Sequence, residues 1–179
     1  MARSPKKSTA QVKKKKKPAA KKAAPKPPSK RAKLSAKEYA PLAPYLRIKG
    51  AREAIDFYKK AFNASVRMIM DAEDKVRIMH ADLIINGGEI MLSDTFPEFG
   101  TAVTTPPVDA NTTTVSLHLQ VNDADKWWKR ATDAGCSVVM PLEDQFWGDR
   151  FGMIKDPFGH VWSIASRIKK KRAKKRARK

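Results

Sequence analysis

Apolar and polar positions between residues 39 and 166 follow two periods that succeed one another in a fixed order. Val115, Leu117, Leu119 and Val121 alternate with Ser116, His118 and Gln120, the two-residue period of a half-buried strand. After Asp123, which suits a helix N-cap, Trp127, Trp128 and Ala131 recur at helical spacing through Ala124–Ala134, and Gly135 supplies a stop. Val138–Leu142 reads as a strand. Arg150–Lys155 and Val161–Ala165 then read as a hairpin around Asp156-Pro-Phe-Gly159, with Gly159 supplying the φ > 0 position.

The same order occurs earlier in the chain. Ala40–Ile48 alternates as a strand, with Pro41 and Pro44 placing it near an edge or a strand start. Ala51–Phe62 is a helix whose apolar face is Ala54, Ile55, Tyr58, Ala61 and Phe62, and Asn63 stops it. Ser65–Met70 and Val76–Ile85 are strands around the acidic turn Asp71–Asp74, and Gly87-Gly88 turns the chain into Glu89–Ser93. Leu46-Arg-Ile48 matches Leu119-Gln-Val121 at an offset of 73, and Ser65-Val66 matches Ser137-Val138 at 72. A repeat at that period implies a duplicated βαβββ module, with modules at about 40–94 and 114–166 and an α+β fold.

Charge divides the chain differently. Residues 1–37 carry fifteen Lys or Arg and residues 167–179 carry ten, with no Asp or Glu in either stretch. The middle keeps 13 of the 38 basic residues against all 18 acidic ones, a balance of −5 (13 − 18), so the net +20 belongs to the ends. Runs of like charge with Ala and Pro bury too little apolar surface to offset ordering entropy, so both tails (1–38 and 167–179) are expected to be disordered. Lys13, Lys14, Lys15, Lys16 and Lys17, with Lys169, Lys170, Lys171, Arg172, Lys174, Lys175 and Arg176, are the candidate nucleic-acid contacts, neutralising phosphates by counterion release without sequence readout. Solubility or nuclear import are the competing explanations of that charge. One cysteine, Cys136, excludes an internal disulfide and fits a reducing compartment. No apolar run reaches membrane-spanning length and no secretory signal is evident, so a cytoplasmic location is expected: nucleoid-associated, or nuclear in a eukaryote.

With PYLRI(x)₅EAIDFYKKAF, HADLIINGGEIMLSD and FWGDRFGMIKDPFGHVW in this order, the chain resembles the vicinal oxygen chelate superfamily of glyoxalase I, bleomycin-resistance proteins and extradiol dioxygenases. Within it the motifs are similar to the PhnB-like branch, and the basic tails resemble those of linker histones. The resemblance covers about 39–166. It implies that the sheets curl into a cup, that the protein is a homodimer, and that four inward positions can hold a divalent metal. Carried over, those positions are Ala43, Met91, Ser116 and Ser163, none a good ligand; a one-residue slip offers Pro44, Ile90 or Leu92, Leu117, and Trp162 or Ile164, no better. No metal site and no cofactor are therefore expected.

Strand alternation then aims Tyr45, Arg47, Met91, Ser93, Ser116, His118, Gln120 and Ser163 into the cup, a mixed lining that suits an unknown small organic molecule. His118 is the acid–base candidate by position, with a structural hydrogen bond as the alternative, and Asp94 is either a second catalytic group or a loop cap. His80 could face either side, with burial between strands as its main reading, and His160, after the turn, reads as exposed. Arg47 pairs with an anionic ligand or with a neighbouring carboxylate. Phe146 and Trp147 enter from a loop to stack on a planar ligand or to plug the cup, while Trp127, Trp128 and Trp162 read as core. Asp94–Thr113, with Phe96 and Phe99, is either a lid or a crossover linker. Three function classes follow: a metal-free small-molecule binder, a metal-independent lyase or isomerase using His118 or Asp94 as base, and a nucleic-acid-associated protein whose folded domain serves as sensor, dimeriser or passenger.

Overall fold

In the computed structural model, residues 40–100 and 105–168 are described. The expectations for the two basic tails, including Lys13–Lys17 and Lys169–Arg176, lie outside them.

Helix α1, Ala51–Phe62, buries Ala51, Ala54, Ile55, Tyr58, Ala61 and Phe62, the stripe its three- and four-residue spacing demands. Gly50 before it (φ 85) and Asn63 after it (φ 54) are both left-handed. Gly50 has no side chain with which to cap the helix, and a strand does so instead. Asp94 Oδ1 accepts from the Gly50 and Ala51 amides at 3.0 and 2.9 Å, and Oδ2 accepts from Ile78 N at 2.7 Å.

Around α1 the first module places β1 (Tyr45–Ile48), β2 (Ser65–Asp71), β3 (Ile78–Ile85) and β4 (Gly88–Asp94) in one sheet, ordered β1-β4-β3-β2. The single turn α2 (Pro107–Ala110) follows in the linker. The second module repeats the plan with β5 (Ser116–Gln120), α3 (Ala124–Ala134), β6 (Ser137–Asp144), β7 (Asp149–Lys155) and β8 (Val161–Arg167), ordered β5-β8-β7-β6. In each sheet the first strand pairs in parallel with the last and the other pairs are antiparallel. The duplicated βαβββ architecture is therefore present, with Asp123 capping α3 through Lys126 N and Gly135 (φ 119) closing it.

Several boundaries differ from the sequence reading for local reasons. β1 starts only at Tyr45: two prolines cannot donate to a ladder, and the Ala40 amide goes to Glu89 Oε2 at 2.7 Å. β3 starts at Ile78 because Asp74 Oδ1 captures the amides of Val76 and Arg77. β8 runs on through Arg167, whose Nε lies 3.4 Å from Asp149 Oδ1, so that residue belongs to the sheet rather than to a tail.

One apolar core serves both modules. Trp162 of β8 packs on Phe62 and Tyr58 of α1 at ring separations of 4.4 and 5.6 Å. Beneath them Asp156 is buried and accepts four hydrogen bonds: Oδ1 from the amides of Phe158 and His160, Oδ2 from Tyr58 Oη and Trp162 Nε1, all at 2.8–2.9 Å. Burial, then the adjacent Asp156, raise the Tyr58 pKa well above the usual phenol value. Trp127 and Trp128 are half-buried rather than enclosed. Trp128 covers Gly152, where a Cβ would stand 2.5 Å from Cζ3 of the indole. A Cβ on Gly159 would stand 2.7 Å from Val108 N, so the linker turn α2 seats directly on the β7–β8 hairpin. His160, expected at the surface, is buried there.

Candidate functional site

Leu46 and Ile48 of β1, and Leu117 and Leu119 of β5, face the shared core. The residues alternating with them therefore line the opposite, open face of each sheet. On the first, Tyr45 lies beside Met91 and Met91 beside Asp82, while Arg47 lies beside Ser93. The Arg47 guanidinium donates to Ser93 Oγ at 2.5 Å, and its Cζ stands 4.5 Å from the centre of the Tyr45 ring. Tyr45, 42% exposed, meets His80 Nδ1 through its hydroxyl at 2.9 Å, and His80 Nε2 meets Asp82 Oδ1 at 2.7 Å. His80 is thus on the open face, in a chain of hydrogen bonds that the sequence reading passed over. The signal was the spacing His80-x-Asp82, which on a strand puts both side chains on one face.

On the second face His118 lies beside Ser163, and Gln120 beside Ala165. His118 Nδ1 is 2.8 Å from Ser163 Oγ and Nε2 is 3.2 Å from Gln120 Oε1, so both ring nitrogens have a partner. The imidazole stacks on Phe151 at 6.4 Å, and Trp147 meets Phe151 edge-on at 5.9 Å. Phe146 touches Trp147 but is 96% exposed, so it plugs nothing. Ser116 is exposed opposite Val161.

Asp94 does not share this setting. It falls with Leu92 and Ile48 on the core side, and both its oxygens are spent on backbone amides, so the structure makes it the cap of α1 and not an acid–base group of the cup. Phe96 is buried under the Arg77 guanidinium at 4.4 Å and stacks on Phe99. Cys136 is buried, its thiol pushed up to about 12 by burial and then by Asp156, which leaves it unreactive at neutral pH.

A groove of about 610 Å³ opens where β1 and β5 begin, lined by Pro44, Tyr45, Leu46, Arg47, Val115 and Leu117 among others. That volume falls in the range of small-molecule sites.

The register also tests the metal positions. Ala43 precedes β1, and Tyr45 is the residue opposite Met91; likewise His118, not Ser116, lies opposite Ser163. The set so corrected is a phenol, a thioether, an imidazole with both nitrogens engaged, and a hydroxyl, which does not fit a divalent ion. Among the described residues, no three His, Cys, Asp or Glu side chains gather into a group that could hold one.

The Glyoxalase/Bleomycin resistance protein/Dioxygenase superfamily matches residues 40–164, and the chain belongs to that superfamily. It is 42% identical over 128 residues to the uncharacterized protein Rv0887c of Mycobacterium tuberculosis, covering 72% of this chain and 75% of the relative. Protein PA1353 of Pseudomonas aeruginosa has a similar structure (TM-score 0.56, 28% identity, 72% of this chain and 98% of that one). A PhnB protein of Bacillus cereus shares the fold at a TM-score of 0.55 and 20% identity, covering 71% of this chain and 98% of its own.

Proposed function

We propose that the folded domain binds a small, planar organic molecule on its open sheet faces without a divalent metal, and that the basic ends attach the protein to nucleic acid. One observation carries the first part. The open faces hold hydrogen-bonding and aromatic side chains (Tyr45 and Arg47 on the first, where they border a ligand-sized groove, and His118, Gln120 and Trp147 on the second), where a metal site would need carboxylates and imidazoles. A thermal-shift screen of planar organic compounds should yield hits whose affinity falls by about 1–3 kcal/mol in Trp147→Ala and in His118→Ala. If both variants bind like the parent, the ligand lies elsewhere. Elemental analysis of protein purified without chelator should find no stoichiometric Ni, Zn, Mn or Fe.

The second part rests on charge. Twenty-five of the 38 basic residues lie in 1–37 and 167–179, stretches that contain no Asp or Glu, whereas the domain between is net negative. Mobility shifts should show binding to DNA and RNA without sequence preference, weakening by about 10³-fold or more between 50 and 200 mM salt. A domain trimmed to 39–166 that still binds tightly would refute it. This reading places the protein on the chromosome or on RNA. A second copy would cover β6, where Val138, Val139 and Met140 are exposed, and sedimentation velocity tests that dimer.

A further inference from the structure

The geometry points to a proton-transfer site on the first face: Tyr45, His80 and Asp82 form a relay that takes the proton of a phenol-like weak acid bound in the adjoining groove, leaving its anion beside Arg47. This rests on the small-molecule reading above and names the ligand's chemistry. With Asp82 as a carboxylate it can only accept, so the hydrogen of His80 sits on Nε2. Nδ1 of the neutral ring is then an acceptor, and Tyr45 donates to it. The phenol oxygen keeps its remaining lone pairs for a ligand hydroxyl.

A purely structural hydrogen-bond chain would not require this composition. Asp82 is fully buried, and its Oδ2 has no hydrogen-bond partner among the described residues. Burying a carboxylate with one oxygen unpaired is unfavourable, and a neutral residue would avoid that cost. The second module supplies the control. Met153 stands beside Ser163 as Asp82 stands beside Met91, and Phe151, two residues before it, occupies the place of His80. The backbone therefore accepts apolar side chains at both positions, and the acid and the imidazole on the first sheet are there for chemistry.

The transfer balances without any other reactant. The ligand O–H bond breaks as its proton passes to Tyr45 Oη, while the proton of Tyr45 moves to His80 Nδ1. The imidazolium so formed is neutralised by Asp82, and the ligand anion by the Arg47 guanidinium, held by Ser93 and the Tyr45 ring face. The apolar groove walls Pro44, Leu46, Val115 and Leu117 suit a flat ring carrying that hydroxyl.

The test uses the full chain with 4-nitrophenol, whose anion is coloured and whose neutral form is not. Below the probe's own pKa, the bound probe should appear as the yellow phenolate. Tyr45→Phe should abolish that colour, and Asp82→Asn should lower the ionised fraction about tenfold. A probe that binds only as the neutral phenol, or does not bind, overturns the ligand class. A second readout needs no ligand: a tyrosine-directed aryl sulfonyl fluoride forms an O–S bond at Tyr45 while S–F breaks, fluoride leaves and His80 takes the proton. Peptide mapping should find Tyr45 modified about tenfold faster in the parent than in a folded Asp82→Asn variant, and equal rates overturn the relay. If screened compounds bind through Trp147 and His118 while both readouts ignore Asp82, the relay fails and the binding function stands. Relay-dependent labelling with no compound bound gives the reverse.

Discussion

The row of side chains that begins at Tyr45 in the first module has its counterpart at His118 in the second. Tyr45, Met91 and Asp82 lie side by side across three strands, as do His118, Ser163 and Met153. Arg47 corresponds to Gln120 and His80 to Phe151. The contact made in each row is also equivalent: the Tyr45 ring meets His80 at 5.5 Å, and His118 stacks on Phe151 at 6.4 Å. One face thus carries a hydrogen-bonded chain ending in a buried carboxylate, the other an aromatic shelf continued by Trp147. Backbone register decides which positions touch, and leaves their chemistry free to diverge between copies.

The hairpin turns extend the comparison, since each reaches into the other module. Asn86 Nδ2 in the β3–β4 turn donates to Gln120 O at 2.8 Å in an exposed setting, whereas Asp156 gathers four donors in the core. Asp156→Ala should therefore cost about 3–5 kcal/mol in urea unfolding, from stranded buried donors and lost charge-assisted bonds. Asn86→Gly, which keeps the left-handed turn, should cost about 1 kcal/mol or less. Equal losses would mean that burial does not set the difference.

The helix caps give the next largest contrast. Asp94 serves the Gly50 and Ala51 amides, because the glycine before α1 has no side chain to cap it, and the Ile78 amide of β3 as well, whereas α3 has its own cap in Asp123 and takes from Ser166 only a bond of 3.3 Å to Ala124 N. We expect Asp94→Ala to cost about 2–4 kcal/mol and Ser166→Ala about 1 kcal/mol. Gly152 and Ala81 are matched in the same way, each facing the core beside Ile164 and Leu92 respectively. Only Gly152 lies under an indole, so Gly152→Ala should cost about 1–3 kcal/mol through overpacking while the first module carries its Ala81 methyl without penalty. A thermal-melt series would show it.

The smallest effect expected is on pH dependence. Burial lowers the His160 pKa below 6.5, against the opposing pull of Asp156 and of a hydrogen bond to the Arg47 backbone. Between the folded and unfolded values the unfolded chain binds more protons, so this contribution is full above about 6.5 and is lost as pH falls. The first module has Gly88 at the corresponding place and no such term. Denaturation curves at pH 8 and pH 5 should converge in part for His160→Gln, and an unchanged acid loss would assign it to other groups.

Local periodicity sufficed for much of this molecule. Helices α1 and α3 occupy the residues their apolar stripes marked, Asn63, Asp123 and Gly135 cap them as their chemistry demands, and the 72–73-residue repeat delivered the duplicated module. Alternation also placed Tyr45, Arg47, Met91, His118, Gln120 and Ser163 on open faces, because side-chain direction along a strand depends only on parity. Tertiary structure alone decided what those residues meet. Parity is silent about register, which set Tyr45 rather than Ala43 beside Met91 and brought His80 to the Tyr45 hydroxyl. Nor can composition distinguish an acid that caps a helix from one that does not: Asp94 was claimed by the amides of α1, and Asp82, twelve residues earlier on the opposite face, was left with one oxygen unpartnered among the described residues. Such assignments depend on which donors the fold carries to within about 3 Å, and some of these come from residues 35 to 98 positions away in sequence.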